Sequence, residues 1–392
     1  MPQDRDARLR PSKRRICLCP GSIGGGGIGV VMLNLAEELV ARGIAVDLLI
    51  AAPDGVARDV PEGVRVVDLG RRARHGLGRA VSYLRREQPD AIISARNYVN
   101  LLMLAAHRIA RSRARLIWSF HTHRSAEISR ASRMQRLMDR LVLRFIAAPD
   151  ARVAVSEGVA ADLRGAAGGA QAPQIDVILN PAWSPARAAQ ALQPCPHPWL
   201  ADRAPWPAGA QPWPADPAPV LVAMGRLAVQ KDFPTLLRAF ANLRQTRPGA
   251  RLILLGEGPA REALTRLCGD LGLRLDVDVA LPGHVAAPLA FLSRADLFVL
   301  SSLWEGLPMV LVEALGAGLR IVSTDCPSGP DEILAGGRLG HLVLPGDPAA
   351  LARAMAQALD MPADPPRQIA EAARFSAHLA ADRYLRLAFP QD

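Results

Sequence analysis

Two carboxylates, Glu305 and Glu313, lie eight positions apart in residues 296–318. A strand is predicted to end just before Glu305, and a proline starts a helix three residues after it, with Glu313 about one and a half turns in. The amides of Gly306 and Leu307 lie between the two acids. Carboxylates accept hydrogen bonds from vicinal sugar hydroxyls, and free helix amides suit phosphate. The segment therefore predicts a site for ribose, diphosphate and hexose.

Two cations follow an earlier predicted strand. After Val220 to Met224, Gly225 permits a turn, and Arg226 and Lys231 lie in the loop before the next helix. A guanidinium grips two phosphate oxygens and an ammonium acts as a point charge. The loop is predicted to bind a diphosphate.

A glycine-rich loop spans residues 20–29, directly before a predicted amphipathic helix. Glycines let the backbone approach a ligand, and the helix start presents free amides to an anion. We assign Gly26 and Gly27 to donor binding, in a phosphate or acceptor loop. The alternative is a nicotinamide-dependent oxidoreductase, although the acid it needs, Asp54, lies behind Pro53, where a ribose contact is unfavourable.

Strand-like and helix-like segments alternate along the whole chain, with seven predicted strands in the first half and six in the second. The predicted fold class is α/β, with two Rossmann-like doubly wound domains facing an interdomain cleft, because open parallel sheets bind ligands beyond their strand ends. The predicted organisation is an N-terminal acceptor domain, a linker rich in proline and tryptophan, a donor domain, and a C-terminal helix that packs back toward the first domain (residues 1–182, 183–219, 220–365 and 366–392). The density of prolines in the linker is expected to exclude regular helix.

Composition excludes several classes of protein. The chain has 392 residues, of which 4% are aromatic, which disfavours nucleic-acid binding by base stacking. No apolar run is long enough to span a bilayer, and the charged start does not resemble a signal peptide. Five scattered cysteines predict buried thiols and no disulfide framework. We therefore expect a cytoplasmic chain.

The net charge of +10 is unevenly distributed, since residues 1–182 hold 28 of the 47 basic side chains and 17 of the 37 acidic ones. Such an excess predicts an anionic partner. Within it, residues 124–146 (Arg124 to Ile146) repeat arginines and apolar residues at spacings of three or four. One interpretation is a basic helix at the inner face of a membrane, and the other is a helix that covers its own sheet.

The chain resembles the retaining glycosyltransferases of family 4, which have the GT-B fold. The resemblance rests on Glu305 and Glu313 together with GRLAVQKDFPTLL, LILLGEGP and TDCPSGPDEIL, and extends over the opening loop, VAVSEGVAADL and Asn180-Pro181. It implies transfer of a sugar from a nucleotide diphosphate sugar, with UDP favoured, to a saccharide or lipid-linked acceptor. The third alternative, a non-catalytic scaffold of this fold, would be expected to lack these charged residues.

By resemblance, Arg226 and Lys231 bind the donor diphosphate, Glu305 contacts the transferred sugar, and Glu313 holds the ribose hydroxyls. His121 would face the donor sugar and is favoured over His123. The resemblance also implies that residues of the strand-end turns contact the donor: Gly225, Gly258, His284, Gly306 and Leu307. Two further polar residues, Ser156 and Asn180, are implied to line the cleft.

The family is thought to retain configuration by attack on the face from which the phosphate departs, so no dedicated nucleophile is needed. The leaving phosphate takes the acceptor proton, and Arg226 and Lys231 meet the developing charge. No metal and no cofactor are expected. Asp276 and Asp278 are the alternative metal ligands, but they lie at the entry of a predicted strand rather than at its carboxyl end.

Overall fold

The computed structural model describes residues 14–24, 26–50, 60–70, 73–205, 218–362 and 364–391. Pro53, Asp54 and residues 206–217 of the predicted linker lie outside the described residues. All thirteen predicted strands are present, which confirms the α/β class with two Rossmann-like sheets.

The first sheet has seven strands in the order β3-β2-β1-β4-β5-β6-β7. Strand β1 pairs in parallel with both β2 and β4, so the strand order reverses between β1 and β4 while both pairs stay parallel. The last strand is shorter than the predicted residues 175–179. The strands are β1 Arg15–Gly21, β2 Ala45–Ile50, β3 Val64–Asp68, β4 Ala91–Ala95, β5 Arg115–Phe120, β6 Ala151–Ala154 and β7 Asp176–Val177.

The second sheet has six strands in the order β10-β9-β8-β11-β12-β13. Strand β8 pairs in parallel with β9 and β11, so the switch point lies between β8 and β11. The inner strands β8, β9 and β11 are almost entirely buried and apolar, as a sheet covered on both faces requires, whereas the edge strand β13 is only partly buried. The six strands are β8 Val220–Met224, β9 Arg251–Leu255, β10 Val279–Gly283, β11 Leu297–Leu300, β12 Arg320–Thr324 and β13 His341–Val343.

The longer helices of the described residues bury one face, whereas the short α4 buries none of its residues. In the first helix, Val31, Leu35 and Leu39 repeat at the helical period and are buried. The helices are α1 Gly27–Ala41, α2 Ala73–Glu87, α3 Asn97–Ala110, α4 Arg124–Ile128, α5 Arg133–Arg144, α6 Glu157–Ala166, α7 Pro185–Gln190, α8 Phe233–Thr246, α9 Arg261–Asp270, α10 Pro288–Leu292, α11 Met309–Gly316, α12 Pro330–Ile333, α13 Pro348–Asp360, α14 Pro365–Ala372 and α15 Ala377–Ala388.

By their internal contacts, the residues form two compact units. The first comprises residues 1–120, 137–153 and 381–392, and the second comprises residues 121–136 and 154–380. In the first unit, the end of the chain packs on β5: the hydroxyl groups of Ser119 and Tyr384 are 3.0 Å apart, and Arg115 donates to a carbonyl of α15. The domain limits predicted above stay a prediction.

Two local predictions were wrong. The linker, predicted to exclude regular helix, contains α7, because Pro185 occupies the first helical turn, where proline is tolerated, and no proline follows within the helix. Residues 124–146 form two helices rather than one, and only Asp139 and Val142 of α5 are buried. Met134, one of the apolar residues that repeat along this segment, is 63% exposed. No helix among the described residues is long and apolar enough to cross a membrane.

Candidate active site

The centre of the candidate site is an ion pair at the switch point of the second sheet. The loops after β8 and β11 leave neighbouring strands at their carboxyl ends, where open α/β sheets bind ligands. They bring Lys231 and Glu305, 74 positions apart in sequence, into contact, with 2.6 Å between Lys231 Nζ and Glu305 Oε1. The two loops predicted separately from their charges therefore form one cluster.

The carboxylate of Glu305 is 6% exposed and has three side-chain donors around it. Ser302 Oγ donates to Oε1 at 2.7 Å, and Gln230 Nε2 lies 3.4 Å from Oε2. A buried carboxylate needs such partners, since an unpaired one would be strongly destabilising. The sequence therefore places Glu305 as a fixed group rather than a mobile surface acid.

The loop that carries Lys231 is joined to the β11 loop by its backbone as well. Ser301 Oγ donates to the carbonyl of Lys231 at 2.7 Å, and the amide of Leu303 donates to the carbonyl of Gln230 at 2.8 Å. The aliphatic part of the lysine lies against Gly225, where a Cβ atom would come within 2.8 Å of Lys231 Cε. Gly225 thus leaves room for the lysine to reach Glu305.

Gly306 is required by a close backbone approach. A Cβ atom at this position would lie 2.0 Å from the carbonyl oxygen of His121, so no other residue fits without a shift. The carbonyl of Gly306 accepts a hydrogen bond from Ser156 Oγ at 2.8 Å, and that of Leu307 accepts from Asn180 Nδ2 at 3.3 Å. Ser156 and Asn180 therefore hold the backbone of the loop.

Two further contacts fix the Glu305 backbone. Its carbonyl accepts from the amide of His123 at 3.2 Å and from Ser328 Oγ at 2.9 Å. The family resemblance favours His121 over His123 as the residue that faces the donor sugar, and this role stays a prediction. Both histidine positions contact the loop through their backbone, His121 beside Gly306 and His123 at Glu305.

Arg226 lies in the same β8 loop as Lys231 and is exposed. Among the described residues, its guanidinium has no carboxylate partner, whereas the ammonium of Lys231 is already paired with Glu305. A partner-free guanidinium at a strand end is available to an incoming anion. Its neighbour Leu227 is tied to the β9 loop, because the Leu227 amide donates to the carbonyl of Glu257 at 2.9 Å.

Glu313 is held by a different cation. Its carboxylate lies on the buried side of α11, 3.2 Å from Arg187 Nη1, with its side chain only 7% exposed. Helix α11 begins at Met309 and has Pro308 as its N-cap, as the sequence predicted. The structure therefore gives each of the two glutamates its own cation.

Four further residues predicted to bind the donor lie at loops or at the start of a helix, away from the Lys231–Glu305 pair in the sequence. Gly258 lies in the turn after β9, and His284 is exposed after β10. Gly26 caps α1 and Gly27 begins it, both in the first unit. The roles of these four residues stay predictions.

Four groups around the acids were not among the predicted site residues: Ser302, Gln230, Ser328 and Arg187. Ser302 carried a usable signal, since it is three residues from Glu305 at the predicted strand end, and Gln230 and Ser328 lie within the motifs GRLAVQKDFPTLL and TDCPSGPDEIL. Arg187 comes from the predicted linker, and its proximity to Glu313 depends on how that segment packs. Cys326 lies near the same loop, and burial, with the Glu305 charge adding to it, raises the pKa of its thiol to about 12, which disfavours the reactive thiolate form.

Comparison with known protein families adds an independent result. Residues 25–182 match the model described as Glycosyltransferase Family 4, and residues 218–361 match the model described as Glycosyl transferases group 1. Both models describe glycosyltransferases, so the chain is a glycosyltransferase similar to those of family 4. The two matches flank the predicted linker, and the second includes Arg226, Lys231, Glu305 and Glu313.

Individual relatives agree with the family. The chain is 43% identical over 115 residues to an uncharacterized glycosyltransferase of Methanocaldococcus jannaschii, which is 29% of this chain and 28% of the relative. It is 39% identical over 140 residues to the lipopolysaccharide core biosynthesis glycosyltransferase LpsE of Rhizobium meliloti, 36% of this chain and 39% of the relative. The chain thus matches well under half of the length of either relative.

Solved structures match over nearly the whole chain. The Anabaena protein HepE, in complex with UDP and glucose, superposes with a TM-score of 0.71 at 20% identity, covering 95% of this chain and 98% of that one. The likeness establishes the fold, which is GT-B.

Proposed function

We propose that this chain is a retaining glycosyltransferase that moves a sugar from a UDP-sugar to a saccharide or lipid-linked acceptor. The observation that carries the proposal is the Lys231–Glu305 pair at the switch point of the second sheet. A cation and an acid in contact at this edge fit the two parts of the donor, its diphosphate and its sugar.

In this proposal the two cations stabilise the leaving group. An ammonium has three donors, so Lys231 can keep its bond to Glu305 and still donate to a phosphate oxygen. The exposed Arg226 would grip the diphosphate with two donors. Charge that develops on the departing phosphate then meets cations already in place, which is the main source of rate enhancement in such sites.

The proposed step needs no enzyme nucleophile. The bond between the anomeric carbon and the phosphate oxygen breaks, and the leaving diphosphate keeps the electron pair. The acceptor hydroxyl attacks from the same face, and its proton passes to the leaving phosphate. Glu305, held by Ser302 and Gln230, would position the sugar hydroxyls, and Glu313 would bind the ribose.

The choice of UDP rests on similarity. HepE was crystallised with UDP and glucose, and LpsE is named for lipopolysaccharide core biosynthesis. We expect UDP-sugars to raise the unfolding temperature of this chain more than GDP-, ADP- or TDP-sugars. Release of UDP with saccharide and lipid-linked acceptors then identifies the transfer. Tight binding of NAD without any response to nucleotide sugars would instead support the oxidoreductase alternative.

We also propose peripheral contact with an anionic membrane through α5. This helix exposes arginines beside Met134 and Leu137, whose exposed fractions are 63% and 48%. Cations with apolar side chains between them suit the surface of anionic lipids. Sedimentation with vesicles that contain phosphatidylglycerol is expected to carry the protein down, whereas pure phosphatidylcholine vesicles are not.

The variant Met134→Asp with Leu137→Asp tests that helix, and Ile109→Asp, at another exposed apolar position on α3, is the matched control. Loss of sedimentation in the double variant alone supports the contact. Equal sedimentation of both variants would refute it.

A further inference from the structure

We propose that Arg187, from the predicted linker, is a positioning residue for the nucleotide ribose, acting through Glu313. The inference rests on the proposed function, in which Glu313 binds the ribose hydroxyls. Its basis is the contact of 3.2 Å between Arg187 Nη1 and Glu313 Oε1, made between side chains that are both mostly buried. A carboxylate in such surroundings is costly without a cation beside it.

The short helix that carries Arg187 is fixed at both ends. At its start, Ser184 Oγ accepts a hydrogen bond from the amide of Arg187 at 3.2 Å. Just after its end, the carbonyl of Ala191 accepts from Ser293 Oγ at 3.0 Å and from Arg294 Nη1 at 3.1 Å. The guanidinium is therefore presented from a held backbone.

Trp183, two residues before this helix, packs on the helix that bears Glu313. A Cβ atom on Gly316 would lie 2.2 Å from the ring of Trp183, so the indole occupies the surface one turn beyond Glu313. The backbone of Trp183 is bound as well, with its amide donating to the carbonyl of Phe375 at 3.1 Å. Because Trp183 and Arg187 contact the same face of α11, the start of the linker sets the environment of Glu313.

The consequence concerns how Glu313 recognises a ribose. A carboxylate that accepts from two vicinal hydroxyls must hold one orientation, and freezing a free rotamer during binding weakens affinity. Arg187 supplies that orientation before the nucleotide arrives. Its loss should then weaken binding only of nucleotides that carry the ribose hydroxyls.

The test compares UDP with its 2′,3′-dideoxy analogue by calorimetry on the full chain. We expect Arg187→Met to weaken UDP binding about tenfold and to leave the dideoxy analogue unchanged, since one charged contact is worth about 1.4 kcal/mol. Arg187→Lys should recover part of the loss. Arg266→Met, at an exposed arginine on α9, is the matched control.

A double-mutant cycle separates positioning from a general loss of structure. In the Glu313→Gln background, Arg187→Met should cause no further loss of UDP affinity. Equal losses for UDP and the dideoxy analogue, additive effects in the cycle, or unchanged UDP affinity would each overturn the inference while leaving the proposed function in place. Failure of the wild-type chain to bind any of UDP, GDP, ADP and TDP would instead refute the proposed function, and the inference with it.

Discussion

Two buried carboxylates, Asp47 in the first sheet and Glu305 beside the second, have similar surroundings but lie toward opposite ends of their strands. Asp47, 1% exposed, accepts from Arg15 Nη1 at 2.9 Å, from Arg65 Nε at 2.8 Å and from Tyr83 OH at 2.6 Å. Arg15 and Arg65 lie at the starts of their strands, whereas Glu305 follows the end of β11. Ligands of open parallel sheets bind at the carboxyl ends of the strands. The position of Asp47 therefore suits a structural role, and the position of Glu305 suits contact with a ligand.

The hydrogen-bond partners of the two acids also indicate a structural role for Asp47 and a ligand-binding role for Glu305. Both oxygens of Asp47 are occupied by charged or hydroxyl donors, and Glu87 pairs with Arg65 as well, which closes the network. Lys231, the partner of Glu305, is an ammonium with donors to spare, and the exposed Arg226 lies in its loop. A buried ion pair thus indicates a ligand-binding site when its cation has donors left for a second anion. Burial of the pair alone does not indicate one.

Removal of both cations from the loop after β8 is expected to have the largest effect. Arg226→Ala combined with Lys231→Ala should lower transfer by about a thousandfold or more, because each preorganised donor to the leaving group contributes about 10²-fold or more. Release of UDP from the sugar donor measures the effect, and cooperative thermal unfolding shows that the fold is kept. Arg266→Ala is the control, and near-normal turnover in the double variant would contradict the assignment.

Glu305→Gln tests the acid itself. Glutamine keeps an oxygen that accepts from Ser302 and Lys231 but loses the charge, so we expect turnover to fall about a hundredfold with little change in unfolding temperature. The same assay and a urea titration measure the two effects. A large loss of stability with unchanged turnover of the folded fraction would make Glu305 a structural acid like Asp47.

Asp47→Asn is the matched change in the first sheet and should have the opposite profile. It leaves buried donors of Tyr83 and the arginines poorly satisfied, which we expect to cost about 2 kcal/mol in the free energy of unfolding. Turnover per folded molecule should stay close to that of the wild type. Urea unfolding measures the loss, and a drop in turnover as large as that of Glu305→Gln would erase the distinction between the two acids.

Sequence patterns predicted the strands well because buried parallel strands are continuous apolar runs, as in Leu297–Leu300. They also placed Lys231 and Glu305 at strand ends, from which their meeting followed once the strand order was known. They could not predict the pairing of Arg187 with Glu313 or the backbone contacts of His123, because these depend on how distant segments pack. The α7 helix was not predicted because the prolines were counted over the whole linker. The five residues that follow Pro185 in the helix contain no proline.

The pH dependence of stability gives a weaker test of the structural role of Asp47. Burial by itself raises the pKa of Asp47, but hydrogen bonds from Arg65, Tyr83 and Arg15 outweigh it, so the pKa lies below its ordinary value. The stability this supplies is complete above the unfolded pKa, about 3.9, and is lost as the pH falls through the lower folded pKa. The difference in unfolding free energy between wild type and Asp47→Asn should therefore be constant from neutral pH down to about 5 and shrink in stronger acid. A difference that grows on acidification would contradict the network.

The smallest expected effect comes from a chelator. If Arg226 and Lys231 supply the positive charge that meets the leaving diphosphate, transfer should be nearly unchanged after treatment with EDTA and dialysis. The double alanine variant gives the contrast, since its lost turnover should not return when Mg²⁺ or Mn²⁺ is added. Complete loss of wild-type turnover on chelation, restored by a divalent cation, would show that the charge at the switch point of the second sheet is incomplete without a metal. The spare donors of Lys231 would then no longer explain why this ion pair, unlike the one at Asp47, forms a site.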